Sequence, residues 1–308
     1  MTTTTNAPVT AAPVHATPRT RARVPARSGI WFLAPYLFFF ALFLVWPIVY
    51  GLWMSLTDRS LASTGSEFVG LGNYTQALTD PDMWSALGNT VFFTLISSVP
   101  LVVVSFAMAY LVYTGLKGQW LWRLTFFAPF LLPVSVVTAV WGFLFTNDFG
   151  LINGSLDRLG IAQVGWLSDE RVAMWSIALV TVWWTVGFNF LLYLSALQNI
   201  PDHLYEAAQL DGAGVWRRLF SITLPMMKST TWLVILLQIL ASLKVFDQIF
   251  LLTAGGPNGA TRSILQYIYD AGFTGYRLGF ASATSYIFFA LIVMVSLGQM
   301  WIAQRKDS

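Results

Sequence analysis

The chain has no cysteine, two histidines, and only 10% charged residues in a length of 308. Without cysteine there are no disulfides and no thiolate metal sites. The two imidazoles, His15 and His203, lie outside every apolar run, so neither a histidine base nor a histidine-rich metal centre can be assembled. No Gly-x-x-x-x-Gly-Lys-[Ser/Thr] phosphate loop occurs, so this chain is expected to bind no cofactor and to do no ATP chemistry. The scarcity of charge says most. A soluble domain carries about 25% charged residues to cover its surface, and here 56% of residues are hydrophobic instead. The bilayer has to be the solvent for most of this chain.

Six apolar runs are long enough to cross a hydrocarbon core, which takes about 20 helical residues. They lie near 30–56, 88–113, 122–146, 172–197, 230–253 and 281–303. The first carries Pro35 and Pro47 and the third Pro129 and Pro133. Membrane helices tolerate proline where neighbours re-satisfy the freed carbonyls, so kinks are expected and not breaks. The fold class is therefore all-α and polytopic. Residues 1–29, rich in Thr, Ala and Pro, read as a disordered basic arm, 30–303 as the membrane domain and 304–308 as a tail. The first run is too long for the core of a signal peptide and reads as an uncleaved span.

Orientation follows from lysine and arginine in the loops. With the N terminus inside, the inner segments hold eleven of them: Arg19, Arg21, Arg23, Arg27, Lys117, Arg123, Arg217, Arg218, Lys228, Arg305 and Lys306. The outer loops hold five, Arg59, Arg158, Arg171, Arg262 and Arg277. Both termini and the 198–229 loop are expected to be cytoplasmic. The net charge of +3 and the pI near 9.2 then express this bias and not an affinity for nucleic acid.

The 198–229 loop is the polar segment with an internal pattern. Pro201 and Asp202 suit a helix start, the proline filling the first turn and the carboxylate facing the positive dipole end. A short helix over 202–210 ends where Gly212 can turn left-handed, and Val215 to Phe220 form a second segment before Leu224-Pro225. Within it run Glu206-Ala207-Ala208, three residues, Gly212, nine residues, and Ile222-Thr223-Leu224-Pro225. Read from its residues, the loop suits three roles. Trp216, Leu219 and Phe220 fit an interfacial helix, and Arg217 and Arg218 a DNA-type helix–turn–helix. The small Ala207 and Ala208 beside the carboxylate of Glu206 fit a face gripped by a partner.

The full pattern resembles the EAA loop of permease subunits of ATP-binding-cassette importers. Flanking segments are similar to the carbohydrate branch, the maltose and glycerol-phosphate permease type. These are Leu191 to Pro201, Phe246 to Pro257, Tyr267-Ile268-Tyr269 and Gly279 to Ala283, so the resemblance covers about residues 30–303. It implies a cytoplasmic coupling helix–turn–helix between the fourth and fifth spans. The ATPase-coupling residues would be Glu206, Ala207, Ala208, Asp211, Gly212, Ile222, Leu224 and Pro225. It also implies a multi-pass protein of a bacterial or archaeal cytoplasmic membrane. The implied partners are a second, different permease, a cytoplasmic ATPase dimer that uses ATP and Mg, and an extracytoplasmic solute-binding protein. The family often has a proline four residues after Leu-Pro, where Ser229 stands here.

A neutral sugar asks for hydrogen-bonding groups and aromatic faces. The fourth span offers the stripe Trp183, Val186, Gly187 and Phe190, with Gly187 opening space beside two rings. The fifth offers Gln238, Ser242 and Val245. In the maltose permease type these positions match the stripes lining the sugar site, although Trp183 and Val245 stand where that protein has polar side chains. Helix packing explains the same residue types, so both readings stand. Asn189 and Tyr193 are further candidates. Lys244 and Asp247, three apart, are close enough for an ion pair, or sit solvated at the outer boundary.

The expected function is the transmembrane subunit of an ATP-driven sugar importer. A same-class importer of a non-sugar solute such as glycerol phosphate stays open, as does a secondary transporter or channel. The last usually needs several embedded acids or an internal repeat, and this chain offers at most Asp247.

Overall fold

The computed structural model describes the backbone of residues 26–307 and the side chains of residues 33–303. Most of the expected arm (1–25) and the last residue of the expected tail lie outside the described residues. The helices run in order as α1 (Ala26–Phe40), α2 (Trp46–Ser55), α3 (Gly72–Thr79), α4 (Pro81–Tyr113), α5 (Gln119–Phe127), α6 (Val134–Leu144) and α7 (Leu151–Arg158). They continue as α8 (Ala173–Leu197), α9 (Asp202–Leu210), α10 (Val215–Arg218), α11 (Leu224–Met226), α12 (Lys228–Leu243), α13 (Asp247–Thr253), α14 (Ile264–Tyr269) and α15 (Leu278–Asp307). The β pairing among the described residues is one isolated antiparallel bridge, Thr57 with Phe68. Among the described residues, four helical segments are each long and apolar enough to cross a membrane, and two bent pairs bring the number to six if each counts as one span.

The chain divides into two units at Tyr50. In the first, α1 continues through Pro35 and passes into a π turn, Ala41–Val45. Pro47 follows two residues later and cannot donate to Phe43, so the ladder widens, Trp46 N–H reaching back to Ala41. The same device recurs in the second unit. There the π turn Leu219–Thr223 ends two residues before Pro225, and the Leu224 amide bonds to Leu219.

The second unit is built on α4, α8 and α12. Asp80 caps α4, its carboxylate accepting from the Asp82 amide at 2.8 Å with Pro81 in the first turn. At 33 residues α4 spans about 50 Å. Its Ala109 and Val112 pack with Phe190, Tyr193, Leu194 and Leu197 of α8 and Val234 of α12. Lipid tails are as apolar as these side chains, so association rests on close packing and interhelical polar contacts. The hydroxyls of Thr90, Thr94, Thr181 and Thr284 each bond a carbonyl one turn back, which leaves them satisfied in an apolar bundle.

Two expectations about continuity are corrected. The third run does not kink; it breaks, turning 95° between Gln119–Leu131 and Val134–Leu144. Leu132 and Pro133 are both extended, with ψ of 138° and 142°, because a residue before proline is pushed out of the helical region. The freed Leu132 carbonyl accepts from the Trp184 indole of α8 at 3.1 Å, so the break is held by a neighbour. The fifth run, expected over 230–253, stops at Leu243. Lys244 and Val245 close short turns onto Ala241 and Ser242, and Asp247 starts α13, where its charge complements the helix dipole. No ion pair joins Lys244 and Asp247; among the described residues the ion pair found is Arg262 with Asp270, 2.9 Å apart.

That ion pair belongs to the 254–280 segment, which is tied to the ends of its neighbours. Tyr267 donates to Asp80 at 2.6 Å, and the Arg262 guanidinium lies over the Tyr267 ring. The Asn89 amide bonds the carbonyls of Gly259 and Arg262. Burial pushes the Asp80 carboxyl up, but the Tyr267 hydroxyl and the amides of Asp82 and Met83 outweigh it and hold the group below the usual carboxylate range. Burial, then the bond to Asp80, pushes the Tyr267 phenol up.

Candidate functional site

The 198–229 loop folds as two short helices around Gly212. α9 starts after Pro201 with Asp202 in its first turn. It ends in a closed Schellman motif: the Ala213 amide bonds Ala208 at 2.8 Å and the Gly212 amide bonds Gln209 at 3.0 Å. Gly212 has φ of 72°, and a Cβ there would meet nothing within 4 Å. Glycine is needed for the backbone angle and not for space.

One face of the loop docks on the bundle. Leu204 and Tyr205 pack against the cluster that joins α4 to α8, and Tyr205 lies beside the ring of Tyr113. The Tyr205 hydroxyl also shares a hydrogen bond with Thr223, at 3.0 Å, inside the second π turn. The other face is open. Glu206, Ala207, Asp211 and Gly212 are exposed, and Leu210 is 90% exposed. Trp216, 73% exposed, stacks on Phe220, which is also exposed. Ala208, Ile222 and Leu224 are half-buried, and Pro225 is exposed. The pattern thus splits between residues that hold the loop and residues that present it.

The expected solute stripe divides three ways. Trp183 and Val186 line a groove of about 800 Å³ bounded by α4, α5, α6 and α8, with Trp141 and Trp175 among its walls. Trp183 meets Trp141 edge to face at 5.5 Å. Gln238 and Ser242 are buried in a polar chain across three helices. The Asn189 amide donates to the Gln238 oxygen at 2.8 Å, and Gln238 donates to the Ser242 hydroxyl at 3.0 Å. Ser242 meets Ser97 at 3.0 Å and Ser98 at 3.3 Å. Phe190, wholly buried, sits edge-on to Phe126, and Val245 packs with Phe93, Ile177 and Ile249. Tyr193 is buried with its ring edge-on to Phe106.

Gly187 corrects its own expectation. It opens no space beside the rings: a Cβ would lie 2.4 Å from the Phe126 carbonyl and 2.8 Å from Phe127 Cα. It is the point where α8 lets the end of α5 approach.

Reading the sequence alone missed Tyr205, Ser97, Ser98, Trp141 and Trp184. Asn189 was flagged, and its link to Gln238 spans 49 residues. Tyr205 stands next to the Glu-Ala-Ala run, but its partner Thr223 lies eighteen residues on. No local periodicity carries such pairs.

Residues 83–308 match the family described as "Binding-protein-dependent transport system inner membrane component". The chain is 33% identical over 280 residues to a sulfoquinovosyl glycerol transport system permease protein of Agrobacterium fabrum, covering 91% of each. It is 33% identical over 286 residues to the trehalose/maltose transport system permease protein of Thermococcus litoralis, covering 92% of this chain and 96% of that one. An sn-glycerol-3-phosphate transport system permease protein of Yersinia pestis is 33% identical over 291 residues, with 92% and 98% covered. Among solved structures, a bacterial ABC transporter importing the acidic polysaccharide alginate aligns with a TM-score of 0.81 at 22% identity, covering 91% of this chain and 96% of that one.

Proposed function

The chain belongs to the binding-protein-dependent transport system inner membrane component family, and from that membership we propose that it is the transmembrane subunit of an ATP-driven sugar importer. In this reading it forms half of the solute pathway. A second permease completes the pathway, a cytoplasmic ATPase dimer drives it, and an extracytoplasmic binding protein delivers the solute. The chain crosses six times in this reading, with both termini and the 198–229 loop in the cytoplasm, as the eleven-to-five bias of lysine and arginine supports, and with α9 and α10 between the fourth and fifth spans. The loop takes hold of the ATPase, with Glu206, Ala207, Ala208, Asp211, Gly212, Ile222, Leu224 and Pro225 as its coupling residues.

The observation that carries this reading is the two-faced loop. Tyr205 and Leu204 tie it to α4 and α8, while Glu206, Ala207 and Leu210 stay open to a partner. A push on the open face therefore reaches the two helices that carry the interior of the bundle. The solute side is supported by the groove that Trp183 and Val186 line, whose tryptophan faces suit the apolar faces of a pyranose. Gln238 and Ser242 would exchange their mutual hydrogen bonds for sugar hydroxyls when the helices part. Gly187, Phe190 and Val245 would support the pathway from behind, holding α8 and α12 in place.

Cysteine labelling tests the topology cleanly, because the chain has no cysteine of its own. A cysteine at position 216 should react with an impermeant maleimide only in inside-out vesicles, and reaction in intact cells would overturn the proposal. A glycerol-phosphate specificity is the second reading, favoured by the similarity to the Yersinia pestis permease. Uptake assays on the assembled importer with labelled maltose, trehalose and glycerol phosphate separate the two.

A further inference from the structure

A second pocket, of about 410 Å³, lies where α2 ends and α15 begins. Its walls include Asp58, Arg59, Asn73, Gln76, Arg277 and Phe280. Arg59 and Arg277 both line it, and among the described residues no acid forms an ion pair with either. Arg277 donates to the Gln76 oxygen at 2.6 Å and lies over the Phe280 ring at 4.2 Å, and it feels the Asp80 carboxylate at longer range without forming an ion pair with it. The carboxylate of Asp58, the only acid in the walls, accepts from the Glu67 amide. Within its walls two arginines thus stand against one carboxylate.

The frame around it is stiff. The Asn73 amide bonds the carbonyls of Ser55 and Thr57 at 3.0 and 2.8 Å. The Gly279 amide bonds the Arg59 carbonyl at 2.9 Å, and the Leu61 amide bonds the Tyr276 carbonyl at 3.0 Å. A Cβ on Gly279 would fall 1.9 Å from the Thr57 oxygen. The backbone that carries the two arginines is thus locked to backbone, and the Arg277 guanidinium is held in place by Gln76 and Phe280.

The residues next to the pocket along the chain are exposed and apolar: Trp53, stacked on Phe68, with Leu61, Leu71 and Tyr276. Aromatic side chains at the ends of membrane helices sit at headgroup level, where their rings meet both lipid and water. A pair of arginines at that depth, beside a small polar cavity, would meet the phosphate layer of the bilayer.

We propose that Arg59, Arg277 and Gln76 form a binding site for the phosphate of an anionic phospholipid headgroup. The lipid would brace the junction of α2, α3 and α15 from the membrane side. This rests on the chain being a membrane protein and not on which solute it carries, so it stands or falls separately from the transport reading.

The test is native mass spectrometry of the full-length chain, purified with its partner subunits in detergent and titrated with phosphatidylglycerol. The wild-type protein should keep one phosphatidylglycerol that Arg59→Gln/Arg277→Gln loses, with affinity down about tenfold, the loss expected for one charge-assisted hydrogen bond. Arg59→Lys/Arg277→Lys keeps the charge without the planar fork and should fall between the two. It also serves as the readout if the glutamine variant does not assemble. Equal retention in wild type and in the variants that assemble would overturn the proposal. Inorganic phosphate separates the two sources of this anion: it should fail to displace the lipid at millimolar concentration. Displacement by inorganic phosphate with the same dependence on the two arginines would make this a free-anion site and overturn the lipid assignment.

Discussion

The 198–229 loop and the 254–280 segment are of similar length, one linking α8 to α12 and the other α13 to α15, yet they handle their polar groups in opposite ways. The second turns inward. Arg262 pairs with Asp270, Tyr267 with Asp80, Arg277 with Gln76, and Asn89 reaches over from α4 to two of its carbonyls. The first is anchored by Leu204, Tyr205 and Thr223 and leaves Glu206, Leu210 and Trp216 without cover. One segment meets most of its polar groups within this chain. The other has the form of half an interface, since an isolated apolar side chain is ordinary at a surface but a continuous apolar patch is not.

Their glycines differ in the same sense, and substitutions there should separate the two regions most strongly. Gly279→Ala places a methyl group on the Thr57 carbonyl and should destabilise the protein by about 1–3 kcal/mol, as overpacking does. Thermal unfolding in detergent should show it, with uptake lost along with the fold. Gly212→Val meets no atom but must hold a left-handed angle, costing roughly 1–2 kcal/mol. Its effect should be confined to the loop: uptake down about 5–30-fold, ATPase co-purification weakened, and the unfolding temperature of the bundle unchanged. A Gly212→Val protein with normal uptake and normal ATPase association would remove the distinction. Gly212→Asn, which tolerates the same angle, should recover part of the loss.

The polar chain between the two regions comes next. Gln238→Ala removes the acceptor of Asn189 and the donor to Ser242. A few-fold to about tenfold loss of uptake is expected for a hydrogen bond of roughly 1 kcal/mol. The relative uptake of two competing sugars tells pathway from packing. A changed ratio assigns Gln238 to the solute, and an unchanged ratio with reduced thermal stability assigns it to helix association.

The smallest effect belongs to the self-contained segment. Tyr267→Phe removes the donor to Asp80 and should cost about 1 kcal/mol, given that Asp80 is partly exposed. Because the folded Asp80 carboxyl is held below its usual range, its contribution is present above the unfolded value of about 3.9 and is lost as pH falls through the folded value. The wild type should therefore lose stability more steeply than Tyr267→Phe on acidification below about pH 4. Parallel curves would show that this bond does not hold the segment.

What the sequence determined by itself was set within a few residues. The apolar runs, the start of α9 after Pro201 and the left-handed stop at Gly212 follow from hydrogen bonds no longer than six residues and from side-chain preferences at helix ends. The tertiary structure decided everything that depends on a second helix. Pro35 lies in an uninterrupted helix and Pro133 at a 95° break, and the Trp184 indole, 52 residues away, holds the break by accepting the role of donor to Leu132. Gly187 and Gly212 look alike in the sequence, yet one is a helix crossing and the other a turn. Gln238 and Ser242 share a helix face by periodicity, but Asn189 and Ser97 join them only because α8 and α4 cross α12 at that depth. In a bilayer the apolar pattern is nearly uniform around each helix, so it marks which segments cross and says little about which faces meet.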